Sequence, residues 1–325
     1  MNSPGHRRWQ LHGLAVEGRW TSAEIGDRWN ATFAPRPATS ANPDLVVELT
    51  LAGQVPTPPQ AAPDFTQGEL LAYYRAGPAV IAHFPRYGQL RLDLNAGTTT
   101  GMLTLAALET YGVFEDLLAI ALSPHLRRRA MFLLHAFAAA PSAAGPAVLL
   151  VGDIGAGKTT TGLALLHAGW KLLSNDSPIL AAPPGAMAAQ PGSAVRVLAY
   201  PALLSAYPDT LQRFPELNRL NTRPAERQKT LFAAETIYPG VWIESAAAGA
   251  IIFPLIEPRS THALERLPAP QALQLILPHA VEQWDTAMIA THLALLTQLV
   301  QATPAYRLRL AQDTGSLPAM LATIL

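Results

Sequence analysis

The 325-residue chain contains no cysteine, an absence that excludes disulfide bridges, thiolate nucleophiles and cysteine-built zinc sites. Charge is also sparse. Only 14% of the residues are charged, and acids and bases balance at 23 each, so no net field draws the chain to a nucleic acid or an anionic membrane surface. No apolar run reaches spanning length. The most membrane-like stretch, Ala130 to Val151, is broken by Pro141, Gly145 and Pro146 into pieces shorter than the roughly 20 residues a bilayer demands. The basic start, Met1 to Arg8, lacks the apolar segment of a secretory signal. These features predict a cytoplasmic protein with neither membrane nor nucleic acid among its partners.

Lysine is the scarcest basic residue, present only as Lys158, Lys171 and Lys229 against twenty arginines. One of the three falls in the stretch around which the chain is organised. The apolar run Ala147 to Val151 has strand length and leads into Gly152-Asp153-Ile154-Gly155-Ala156-Gly157-Lys158-Thr159, which fits G-x-x-x-x-G-K-[ST]. A helix-spaced segment, Thr160 to Ala168, follows. In such a turn the glycines let successive backbone N–H groups close on a polyphosphate, at the N-terminus of the following helix. Lys158 is positioned to reach the β and γ phosphates, and the Thr159 hydroxyl to complete the shell of a Mg²⁺ ion. Gly152 to Thr160 are therefore the candidate nucleotide-binding residues, for ATP or equally GTP. The competing explanation is an ordinary glycine-rich strand-to-helix turn.

Half of the residues are hydrophobic, enough for a sizeable core, and the length suits two domains. The first hundred residues read as short strands (Trp9 to Val16, Leu45 to Leu51, Ala79 to Phe84, Gln89 to Leu94), with a hairpin turn at Pro85 to Gly88. Helical spacing is expected over Gly101 to Leu122 and Leu126 to Ala140, with Arg127, Arg128 and Arg129 on a solvated face. Past the glycine turn, Gly169 should end the helix and Trp170 to Ser174 should return as a strand that closes on Asn175-Asp176. Turn-rich sequence runs to about Pro239. Strands are expected at Val241 to Ser245, Ala250 to Leu255 and Ala305 to Leu310, with Pro254 near an edge or end. Helices are expected at Pro270 to Leu277, Met288 to Gln301 and Leu317 to Leu325. We place an N-terminal, mostly β domain with a closing helix at residues 1–122 and the P-loop domain at 123–325.

The run Leu149 to Leu180 resembles the C-terminal domain of HPr kinase/phosphorylase and the wider group of HprK-like kinases. It shares with them the strand, the turn Gly-Asp-Ile-Gly-Ala-Gly-Lys-Thr, a helix ending in Ala-Gly, and the strand Trp-Lys-Leu-Leu-Ser-Asn-Asp. A histidine shortly before the P-loop strand is typical of the group, and His135 occupies that place. Pro304 to Leu308 and Leu317-Pro318 resemble the ends of HprK-like proteins found beside peptide-modifying enzymes. The resemblance covers roughly residues 120 to 325. It implies an α/β fold, a P-loop mixed sheet shared with phosphoenolpyruvate carboxykinase, and transfer of a γ-phosphoryl group to a serine-like hydroxyl. It departs at Asn175, where the family usually carries the first of two aspartates, and this weakens the case for a reverse, phosphorolytic reaction.

By the same resemblance Asp176 is a catalytic base or a Mg²⁺ ligand beside Thr159, and a carboxylate is chemically suited to both roles. Lys158 and His135 complete the catalytic candidates. A turn or cap carboxylate is the plain alternative for Asp176, and a hydrogen-bonded core residue for His135. Arg223, Arg227 and Lys229 are candidate phosphate clamps or else a solvated loop; Glu244 and Glu257 are candidate metal partners at strand ends. The expected activity is an ATP- and Mg²⁺-dependent kinase acting on a hydroxyl of a small molecule, peptide or carrier protein, with homo-oligomerisation left open. Two rivals remain. One is a nucleotide-binding regulatory or assembly module, favoured by Asn175; the other is an ordinary P-loop ATPase, for which no unbroken apolar run ending in an acid is found downstream.

Overall fold

The computed structural model describes residues 4–182, 194–220 and 228–325. The chain forms two compact units, Met1–Arg129 with Glu282–Thr286, and Ala130–Val281 with Ala287–Leu325.

The first unit is built on a mixed eight-stranded sheet. Its strands are β1 (Gly5–Leu11), β2 (Leu14–Trp20), β3 (Leu45–Leu51), β4 (Phe65–Gln67), β5 (Leu71–Ala76), β6 (Ala79–Phe84), β7 (Gly88–Asp93) and β8 (Thr98–Leu103), in spatial order β1-β2-β3-β8-β7-β6-β5-β4. β3 runs parallel to both β2 and β8, and the other neighbours are antiparallel. The run expected as one strand at Trp9 to Val16 is a hairpin, turning at His12, which has positive φ, and Gly13. Helix α1 (Ala23–Phe33), in a region read from sequence as strands and turns, links parallel β2 and β3. Its signals were present in the chain: Ser22 caps the Ile25 N–H, and Ile25, Trp29 and Phe33 recur every four residues on the buried stripe.

The helical passage begins later than its spacing suggested. β8 occupies Gly101 to Leu103, and helices α2 (Leu105–Glu109) and α3 (Val113–Arg127) follow. The boundary expected at residue 122 falls inside α3, and the units part at Arg129. Of the three arginines expected on a solvated face, Arg128 and Arg129 are exposed and Arg127 is not. Arg127 is buried and donates to Asp285 (2.8 Å), and Arg128 forks onto both oxygens of the same carboxylate (2.5 and 2.9 Å).

In the second unit the segment expected to be helical at Leu126 to Ala140 forms strands instead, β9 (Met131–Leu133) and β10 (Ala136–Ala140). β11 (Ala147–Val151) leads into helix α4 (Lys158–His167), and β12 (Lys171–Ser174) returns. β13 (Ile179–Ala181), β14 (Arg196–Leu198), β15 (Leu204–Ala206), helix α5 (Pro208–Leu211), β16 (Thr230–Phe232) and helix α6 (Ala234–Ile237) follow. The strand expected at Ala250 to Leu255 lies inside one long strand, β17 (Ser245–Ile256), whereas of that expected at Val241 to Ser245 only Ser245 belongs to β17 and Trp242 makes an isolated bridge to Leu172. β18 (Ala263–Leu267), helices α7 (Ala269–Ile276) and α8 (Thr286–Ala302), β19 (Ala305–Leu310) and helix α9 (Leu317–Ala322) complete the chain.

The central strands run β12-β10-β11-β17-β19-β18. β11 is antiparallel to β10 and parallel to β17, β17 is parallel to β19, and a branch β14-β13-β9 leaves the start of β17. Both faces are covered. Ala136, Ala138, Leu149 and Val151 join a core with Ile276, Leu296 and Leu299 of α7 and α8, while Phe137, Ala139, Val148 and Leu150 join another with Leu163, Leu166 and Leu321 of α4 and α9. Every residue of β10 and β11 is therefore buried, and the continuous apolar runs that result cannot be told from a buried helix by periodicity.

Candidate phosphate-binding site

Strand β11 ends at Val151, and the glycine turn carries the chain to α4, whose N-cap is Gly157 at φ 99°. Gly155 also has positive φ (87°), a conformation that favours glycine. The turn closes on itself through the Ala156 N–H and the Asp153 carbonyl (3.2 Å). Ile154 and the Asp153 carboxylate stand in solvent. The open rim and the helix start suit the approach of an anion.

Lys158 opens α4 with a buried side chain. Its ammonium donates to the Gly152 carbonyl, to the Asp153 carbonyl (3.1 Å) and to His135 Nε2 (3.2 Å). Burial pushes its pKa below the ordinary lysine value; Asp176 and Asp153 oppose that shift and Lys229 adds to it. Because an ammonium can only donate, His135 Nε2 is the acceptor, and the neutral ring then carries its proton on Nδ1. That nitrogen lies 3.3 Å from Asp176 Oδ2. A continuous line, Asp176–His135–Lys158, thus joins the carboxylate after β12 to the lysine of the glycine turn.

Backbone contacts fix this line. The Ala136 N–H donates to the Asp176 carbonyl (3.0 Å) and the Leu134 N–H to the Pro178 carbonyl (3.0 Å), so the His135 segment and the Asp176 turn are stitched together. Ser174 Oγ accepts from the Ser177 N–H (3.0 Å) and shapes the turn. The competing explanations for the two residues are partly true: Asp176 does sit in a turn, and His135 is hydrogen-bonded, yet neither side chain is buried, at 51% and 38% exposed. Asn175 is buried, with Nδ2 3.5 Å from the Leu203 carbonyl and Oδ1 without a partner among the described residues.

One member of the site gave no signal in the sequence. His279, just after α7, accepts the His135 N–H on its carbonyl (2.8 Å), stacks on the His135 ring (centroids 6.1 Å apart) and points Nε2 at Asp153 Oδ1 (3.9 Å). Burial lowers its pKa, with Asp153 opposing and His135 and Lys158 adding to the effect. It stands 144 positions from His135, outside any motif, so only the tertiary structure finds it.

The remaining candidates scatter. The Thr160 hydroxyl meets that of Thr210 (3.1 Å). Lys229 Nζ lies 5.2 Å from the centre of the Tyr207 ring. Arg223 and Arg227 lie outside the described residues. Glu244 is exposed just before β17, and Glu257, just after it, is engaged by Arg309 (2.8 Å) and Arg259 (3.6 Å). Among the described residues no group of three or more histidine, aspartate or glutamate side chains could hold a metal. A donor set of the Thr159 hydroxyl and one carboxylate fits a Mg²⁺ ion that shares its shell with nucleotide phosphates and water. Among the described residues, too, no helix is long and apolar enough to cross a membrane. No protein-family model matches the chain, and no curated protein is significantly similar to it.

Proposed function

We propose that the second unit is an ATP-dependent kinase of the HprK-like kind, moving a γ-phosphoryl group to a hydroxyl acceptor. The observation that carries this reading is the Asp176–His135–Lys158 line, which sets a carboxylate and the P-loop ammonium on either side of one imidazole. The antiparallel neighbour of the P-loop strand is a second support, because an ordinary P-loop ATPase has the parallel sheet of doubly wound folds.

In this mechanism the backbone N–H groups of the turn hold the polyphosphate, and Lys158 exchanges a carbonyl for a γ-phosphate oxygen. Asp176 takes the proton as the acceptor oxygen attacks the γ-phosphorus, and the β–γ bridging bond breaks to release ADP. His135 holds the carboxylate and the ammonium in register. Thr159, with Asp176 where it serves as ligand in place of base, would hold a Mg²⁺ ion beside the nucleotide, and that ion would neutralise phosphate charge.

The test is transfer from ATP to a panel of serine-bearing small molecules, peptides and carrier proteins. Lys158→Ala and Asp176→Asn should each lower the rate by roughly a thousandfold. Unchanged transfer in both variants would sink the assignment. A second reading, a nucleotide-binding regulatory module, is favoured by two observations: Asn175 stands where an acid would strengthen the site, and the Lys158 ammonium is engaged by the turn's own carbonyls. Nucleotide binding without transfer to any acceptor would select it.

A further inference from the structure

A cleft of about 400 Å³ opens beside the start of α4. It shares Gly157 and Thr160 with the phosphate cradle but none of those three residues. We infer that this cleft receives the nucleoside of the nucleotide, a proposal that rests on the P-loop reading above and extends it to the other end of the ligand.

The direction of the phosphate chain decides which end is which. Lys158 reaches toward the β and γ positions, and its ammonium lies with His135 and Asp176, so the γ end belongs there. The α end then leaves the turn over the first turn of α4, where Thr160 forms the near wall of the cleft. The volume falls within the range of small-molecule sites.

The lining has the chemistry a nucleoside needs. Ile256 is 62% exposed although it ends a central strand, an apolar surface that a stacked ring would cover, and the buried Leu310 and Leu317 back the same wall. Asp209 and Glu257, the latter in its ion pairs with Arg309 and Arg259, bring carboxylates to the lining, and a carboxylate oxygen can accept from a ribose hydroxyl. Thr161 lines the same space at 1% exposure, and its hydroxyl has no hydrogen-bond partner among the described residues. A buried hydroxyl of this kind is costly unless a ligand or water satisfies it. The wall also abuts the turn directly, since a Cβ on Gly157 would come within 2.6 Å of Leu310 Cδ1.

The experiment compares the binding of MgATP and of magnesium tripolyphosphate by titration calorimetry. Tripolyphosphate reports on the cradle alone. Wild-type protein should bind ATP at least about tenfold more tightly than tripolyphosphate. Ala311→Trp, which fills the cleft, should weaken ATP to the level of tripolyphosphate and leave tripolyphosphate within about twofold. Thr161→Val changes shape little and guards against misfolding in the tryptophan variant; it should weaken ATP by about threefold or more with tripolyphosphate unaffected. If both variants keep wild-type ATP affinity, the cleft assignment is overturned while the cradle stands. If wild-type protein binds neither probe, the P-loop reading itself fails.

Discussion

The three protons of the Lys158 ammonium have three acceptors, two of them carbonyls of the turn it is meant to serve. In the proposed kinase a phosphate oxygen would displace one of them, and a buried ammonium gains from such an exchange because its new partner is an anion. His125, in the first unit, is a different case of a buried titrating group. It is 1% exposed, its Nε2 lies 2.9 Å from Thr99 Oγ1, and burial, with help from Arg129 and Arg128, brings its pKa down from 6.5 to about 4. The sign follows from where the proton goes. Between pH 6.5 and about 4 the unfolded chain binds a proton that the folded one refuses, so stability is intact above 6.5 and falls as pH drops through this window. Going from pH 7 to 4.5 the contribution is about 2 to 3 kcal/mol. Urea unfolding of wild-type and His125→Asn protein at the two pH values should show the acid loss smaller in the variant by that amount.

Helix α4 shows how local rules set an element in place. Its end forms a hydrogen-bonded αL cap: Gly169 at φ 88° donates to the Leu166 carbonyl (2.9 Å), and the Trp170 N–H to that of Leu165 (3.1 Å). Gly169→Ala should cost about 1 kcal/mol in thermal or urea unfolding with the geometry of the glycine turn unchanged, because only the cap conformation is strained. In β17 the same local reasoning needs the neighbours. The Ile251 N–H donates toward β19, so alternation turns the nitrogen of Pro254 toward β11, which has already ended at Val151. A proline is tolerated inside a long strand because its missing donor has no ladder partner there.

The first unit is not continuous in sequence. Residues 282–286 return to it, where Asp285 is buried between Arg127 and Arg128 and the Trp284 ring stacks on Tyr73 with centroids 4.4 Å apart. Removing the carboxylate strands a buried guanidinium, so Asp285→Ala should lower stability by roughly 3 kcal/mol in urea unfolding. A fragment ending at residue 129 loses both contacts and should unfold at lower urea than the same unit within the full chain, while addition of the 282–286 segment as a linked peptide should restore part of the difference.

The glycine turn, α4, the Gly169 cap, the strand closing on Asp176, β3, β6 and β19 were legible in the sequence because their signals are local: glycine at fixed spacing, alternation on a half-buried face, an apolar run bounded by turns. β10 was misread because strands covered on both faces lose their alternation, and α1 because its evenly spaced Ile25, Trp29 and Phe33 lie among short strand-like runs. The chain alone determined that a glycine turn of the phosphate-binding pattern joins a strand to a helix and that His135 and Asp176 were candidates to join it. Only the folded structure decided that they meet, since that depends on β10 lying between β11 and β12, on the pairing of the His135 segment with the Asp176 turn, and on the arrival of His279 from after α7. Such contacts arise from long-range backbone pairing and shared burial, which no local pattern encodes.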